Sequence, residues 1–144
     1  MRRRGAAGIA ILALALAAGS GLAACGGGGS GDDGGAATEN EVRDAVTSFF
    51  EAGNEHDAET ICGLMTEEQA TRFEAVGDGS CVDGVELLIS RADPPPTELL
   101  VEDVRVRGSR ATVDATITQG GRTRARSISL IEEDGEWRLT DPGL

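Results

Sequence analysis

An α+β domain is the fold class this sequence predicts, with helices first and a curved four-stranded antiparallel meander second. Three observations predict it. Apolar residues recur at helical spacing from Val42 to Ala92. After Pro94-Pro95-Pro96 the period changes to two. Three dipeptides suited to tight hairpins, Gly108-Ser109, Gly120-Gly121 and Asp134-Gly135, then cut the remainder into four strands.

The chain of 144 residues opens on Arg2-Arg3-Arg4, followed by an apolar run from Ala6 to Ala18. That run is shorter than the roughly 20 apolar residues that cross a bilayer, and the combination has the form of a secretory signal. Leu22-Ala23-Ala24-Cys25 closes it and resembles the lipobox of bacterial lipoproteins. The resemblance implies diacylglycerol on the Cys25 sulfur, cleavage before Cys25, and a domain tethered to the outer, extracytoplasmic face of the cell membrane. Residues 1–24 are then signal peptide. Residues 25–38, from the lipidated cysteine through Gly26-Gly27-Gly28-Gly29 and on to Thr38, are a flexible spacer. Residues 39–144 are the folded domain.

Within that domain, Thr38 or Asn40 can cap the first helix, with Glu41 as the answering acid. Its apolar face is Val42, Ala45, Val46, Phe49 and Phe50, and Gly53-Asn54 ends it. Asp57 can cap a short second helix bearing Ala58, Ile61, Cys62 and Met65. Thr66 and Gln69 form a capping box for a third segment with Ala70 and Phe73. After the turn Gly77-Asp78-Gly79, Ser80 can cap a helix bearing Val82, Val85, Leu88, Ile89 and Ala92, which the prolines stop.

Charge and cysteines narrow the function classes. The net charge is −12. Without residues 1–24 it becomes −15, ten arginines against 25 acids, with no lysine at all. So negative a surface argues against a nucleic-acid partner. Tyrosine is absent and the other aromatics are few, so the core must be aliphatic. With Cys25 committed to lipid, Cys62 and Cys81 remain, and outside the cytoplasm a pair is expected to be oxidised. Two cysteines and the one histidine, His56, make too few ligands for zinc. No metal or cofactor is expected, and no nucleophile-base-acid set or phosphate loop is present.

Two-residue turns set the sheet register by counting. Val106 faces Ala111 and Val104 faces Val113. Ile117 faces Arg124, Ala115 faces Arg126, Val113 faces Ile128, Ala111 faces Leu130, and Leu130 faces Leu139. All lie on one face, apolar at one end. At the other end the same count places Glu102, Arg124 and Arg126, with Asp141 nearby and Ala115 between Glu102 and Arg126. These four are the candidate ligand-binding residues. The two arginines either pair with Glu102 and Asp141 or grip a carboxylate-bearing ligand. A bulge near Arg126 would instead turn them to solvent. The hairpin acids Glu132, Glu133 and Glu136 could attract a cation, and His56-Asp57 has the form of half a proton relay at a surface corner.

The helix from Val42 to Gly53, the corner Asn54-Glu55-His56-Asp57 and the closing Glu136-Trp137-Arg138-Leu139 together resemble the nuclear-transport-factor-2-like superfamily, a cone-shaped fold shared with ketosteroid isomerase and scytalone dehydratase. The resemblance implies helices packed on a bent sheet around a pocket. Family enzymes use tyrosine, aspartate or histidine inside the cone. Here tyrosine is missing and His56 is expected outside the pocket. The first expectation is therefore a non-catalytic lipoprotein domain that binds a small apolar or anionic molecule, or a cell-envelope protein. The alternatives are an isomerase, dehydratase or hydrolase using Asp114, Glu102 or Asp141 as base, and a structural domain with a filled cone.

Overall fold

The structure is a computed structural model that describes residues 32–142, with side chains from Thr38 onward. The expected signal peptide, Cys25 and residues 26–31 of the spacer lie outside the described residues. No described helix is long and apolar enough to cross a membrane.

Four helices precede four strands: α1 (Asp32–Glu55), α2 (Ala58–Gly63), α3 (Glu67–Glu74), α4 (Cys81–Ala92), β1 (Thr97–Arg107), β2 (Arg110–Gln119), β3 (Arg122–Glu133) and β4 (Glu136–Asp141). The strands form one curved antiparallel sheet in the order β1-β2-β3-β4. The helices cover its inner face. Val42, Val46, Phe49 and Phe50 of α1 are buried against Val104, Val113, Ile128, Leu130 and Leu139.

The start of α1 departs from the expectation. The helix does not begin at a Thr38 or Asn40 cap but runs back to Asp32, through Gly34 and Gly35 in the expected spacer. Elongating an existing helix costs far less than nucleating one, even through glycine at about 1 kcal/mol each. Its other end is closed just beyond Gly53-Asn54, at Glu55. His56 takes a left-handed conformation (φ 62°). The Asp57 N–H donates to the Ala52 carbonyl at 2.9 Å and the His56 N–H to Gly53 at 3.4 Å. This is a Schellman closure with histidine where glycine is usual.

The other caps follow the sequence. Asp57 accepts from the Thr60 N–H at 3.0 Å and from its hydroxyl at 2.6 Å, and Ser80 accepts from the Asp83 N–H at 3.1 Å. Only half of the expected capping box forms at α3. Thr66 accepts from the Gln69 N–H at 3.4 Å, but the Gln69 amide donates to the Thr140 carbonyl instead of returning to the cap. The cap's own N–H is already engaged by Leu139 O at 3.1 Å, and Leu139 N–H donates to Leu64 O at 2.8 Å. The α2–α3 link is thus zipped onto β4. Cys62 and Cys81 are joined, with Cα atoms 6.0 Å apart, tying α2 to the first turn of α4.

The register of β2 against β3 is the counted one throughout, including Ile117 opposite Arg124 and Ala115 opposite Arg126. There is no bulge near Arg126. The irregularity is in β1: Val101 pairs with Ala115 and Asp103 with Asp114, so Glu102 is an extra residue.

Candidate functional site

The β1 bulge decides which of the four candidate residues meet. Counting back from Val104 without a bulge places Glu102 opposite Ala115 on the inner face. The extra residue gives that place to Val101 and turns Glu102 to the outer face, where it accepts a hydrogen bond from the Thr116 hydroxyl at 2.7 Å. Leu100 is likewise turned outward and 63% exposed. A second irregularity, between Ser129 and Leu130 opposite Thr140, sets Asp141 opposite Ser129 and breaks its alternation with Leu139. Asp141 lines a separate depression with Arg72, Phe73 and Leu88. Of the four, only Arg124 and Arg126 share a site.

Arg122 joins them. The three arginines alternate along β3 and so share its inner face. They line an open depression of about 360 Å³ with Phe50, Ile117 and Gln119. None has a carboxylate within 4.0 Å among the described residues, which is also true of Arg43, Arg91, Arg107 and Arg110, while Arg72, Arg105 and Arg138 are ion-paired. Here β3 has passed the end of β4, whose pairing begins only at Ser129. The stretch Arg122–Ser127 therefore has one free edge, and every residue in it is exposed.

A second cavity adjoins the first. It holds about 550 Å³ between the end of α1, the inner side of α4 and the proline segment, and its walls include Phe49, Phe50, Ile61, Phe73, Val85 and Ile89. The two cavities share Phe50, Pro95, Thr97 and Gln119. A polar seam fixes the boundary. The Asn54 side chain donates to Thr97 O at 2.8 Å and accepts from Thr97 N–H at 2.7 Å. Gln119 donates to the Thr97 hydroxyl at 3.0 Å. These bonds pin the end of α1 and the β2–β3 turn to the start of β1. His56 also lines this apolar cavity, contrary to the expectation that it stands outside any pocket. It reaches that place because the left-handed turn carries it back over the end of α1.

The acids proposed as bases lie elsewhere. Asp114 is on the outer face, ion-paired with Arg105. The Ser127 hydroxyl and then Arg105 hold its carboxyl below the usual carboxylate range, the opposite of what a general base near neutral pH requires. Asp57, the acid of the half relay, is occupied as a helix cap, and its bonds from Thr60 lower its pKa. The hairpin acids Glu133 and Glu136 flank Arg138, at 3.9 and 2.7 Å, so Arg138 meets their charge. Among the described residues no group of three or more His, Cys, Asp or Glu is placed to hold a metal ion.

No protein-family model and no curated protein matches the sequence. The chain is similar in part to solved structures. A designed protein with a curved β-sheet is 19% identical, with TM-score 0.44 over 67% of this chain and 91% of its own. A ketosteroid-isomerase-type protein from Kribbella flavida is 18% identical, with TM-score 0.44 over 71% and 76%. A nuclear-transport-factor-2-like protein of transpeptidase type from Campylobacter jejuni is 11% identical, with TM-score 0.40 over 75% and 97%.

Proposed function

We propose that this chain is an extracytoplasmic lipoprotein, moored to the outer face of the cell membrane through acylated Cys25, whose nuclear-transport-factor-2-like domain binds a small apolar or anionic molecule without transforming it. The observation that carries the binding reading is the apolar cavity of about 550 Å³ between α1, α4 and the proline segment. Its size is that of ordinary small-molecule sites, and it argues against a filled cone. The non-catalytic reading draws on the placement of Glu102 and Asp114 on the outer face of the sheet and of Asp141 in a separate depression, away from the apolar cavity. A cell-envelope protein as the occupant is the second form of this reading. The mooring draws on Arg2-Arg3-Arg4, the apolar run and Leu22-Ala23-Ala24-Cys25.

The test uses the full chain in phosphatidylcholine nanodiscs, with protein-free discs as reference. The neutral fluorophore 1-aminoanthracene should bind saturably. A Cβ at Gly53 would meet nothing within 4 Å and points into open space at the cavity wall, so Gly53→Leu should fold and abolish the signal. Absence of saturable binding to the wild type would refute the ligand-binding reading. For the mooring, Cys25→Ser should leave the protein unprocessed and without lipid label.

A further inference from the structure

The two cavities are of opposite chemistry and share a wall. One is lined by aromatic and aliphatic side chains. The other carries three arginines with no carboxylate partner among the described residues. In a chain with 25 acids and 13 basic residues, three arginines gathered on one face of one strand make a local excess of positive charge. Phe50 sits at the junction and contributes to both cavities. Resting on the ligand-binding reading above, we infer that one molecule spans both: a single-chain amphiphile whose alkyl tail lies in the apolar cavity and whose carboxylate or phosphate head meets Arg122, Arg124 and Arg126.

The geometry suits that chemistry. The arginines are exposed, so the head keeps part of its hydration and needs no buried charge. Guanidinium groups offer paired N–H donors that match carboxylate and phosphate oxygens. Alternation on one strand places neighbouring arginines about 7 Å apart at their Cα atoms, near enough for two to hold one head. The acidic surface elsewhere repels the same head and leaves this end of the sheet as its favoured landing place.

The arginines also have a competing role. Inward-pointing charge on an unpaired strand edge discourages edge-to-edge association, and Arg122–Ser127 is such an edge. The two roles separate in one experiment on the full chain in phosphatidylcholine nanodiscs, with protein-free discs subtracted. Hexanoate, octanoate, octyl phosphate, octanol, octylammonium and acetate are titrated calorimetrically. Octanoate and octyl phosphate should bind, and each added methylene from hexanoate to octanoate should tighten binding about four-fold. Octylammonium should bind at least about ten-fold more weakly. The triple variant Arg122→Gln/Arg124→Gln/Arg126→Gln should weaken both anions about 30-fold, roughly three-fold per exposed charge, and leave octanol unchanged. A preference of the wild type for octyl phosphate or octanoate names the head.

Octanol binding as tightly as octanoate, with no response to the triple variant, would overturn the inference while the apolar-ligand reading stands. Acetate binding as well as octanoate would overturn it in favour of a head-only site. A triple variant that associates but still binds octanoate would assign the arginines to edge protection. No binding of any alkyl probe would remove both this inference and the reading beneath it.

Discussion

Reducing the Cys62–Cys81 bond should lower the melting temperature by about 14 °C. The bond closes a loop of 19 residues that contains all of α3 and the turn before α4. In the chain-entropy model a cross-link over that separation removes about 11 cal/mol/K from the unfolded ensemble, or about 3.3 kcal/mol at 25 °C. A domain of roughly 110 residues unfolds with an entropy near 0.23 kcal/mol/K, so 3.3 kcal/mol corresponds to about 14 °C. The assay is far-ultraviolet circular dichroism of the full chain with and without phosphine reductant, followed by urea unfolding of both forms. The reduced chain unfolds to a more open ensemble, so its urea m-value should be larger. Reduction isolates the cross-link because it removes no atoms from the packing around Cys81, whereas Cys62→Ala/Cys81→Ala adds packing losses. Ile61 beside the bond and Val85 on α4 both line the apolar cavity, so reduction should also weaken 1-aminoanthracene binding. A fall of less than about 5 °C with an unchanged m-value would refute the reasoning, since the loop would not then be limiting the unfolded state.

Further outcomes follow from particular contacts. A Cβ at Gly84 would overlap the Phe73 backbone carbonyl, so Gly84→Ala must push α3 off α4 and should cost about 2–3 kcal/mol in urea unfolding. His56→Gly relieves the left-handed backbone at φ 62° and should stabilise by up to about 1 kcal/mol; destabilisation would mean that its side chain packs productively over the cavity. Leu139 is fully buried and its backbone is bonded to both Leu64 and Thr66, so Leu139→Ala should cost about 3–5 kcal/mol. The Asp114 carboxyl is held below its ordinary range by Ser127 and Arg105. Its stabilisation is therefore complete above the unfolded value near 3.9 and lost as pH falls through the lower folded value. The stability difference between wild type and Asp114→Asn should be flat above about pH 5 and shrink below about pH 4.

Much of this fold was legible because its signals are local. The hairpin turns could be read from Gly120-Gly121 and Asp134-Gly135, whose positive φ angles suit them to two-residue connections. Once the turns were placed, the β2–β3 register followed by counting. Asp57 and Ser80 announced their helices by side-chain chemistry alone. The site was less legible because it depends on a single inserted residue. Glu102 was expected inside and lies outside. A trace of the bulge was nevertheless present in the sequence: Leu99, Val101, Val104 and Val106 step by two, three and two, and the odd step marks the extra residue. Arg122 is not legible as a site residue because it directly follows the turn, where a strand residue is hard to tell from a loop residue. The apolar cavity was not readable at all. It forms where α1, α4 and the proline segment meet, and no periodicity within one element reports a gap between three.

The mooring and the ligand meet in one measurement: native mass spectrometry of the wild-type protein released from its own membranes. The expected species is a chain of residues 25–144 with diacylglycerol on Cys25 and two hydrogens missing for the Cys62–Cys81 bond. It should carry a non-covalent acidic amphiphile that Gly53→Leu fails to retain. An unprocessed chain without lipid, or a processed one equally bare in wild type and variant, would contradict this expectation.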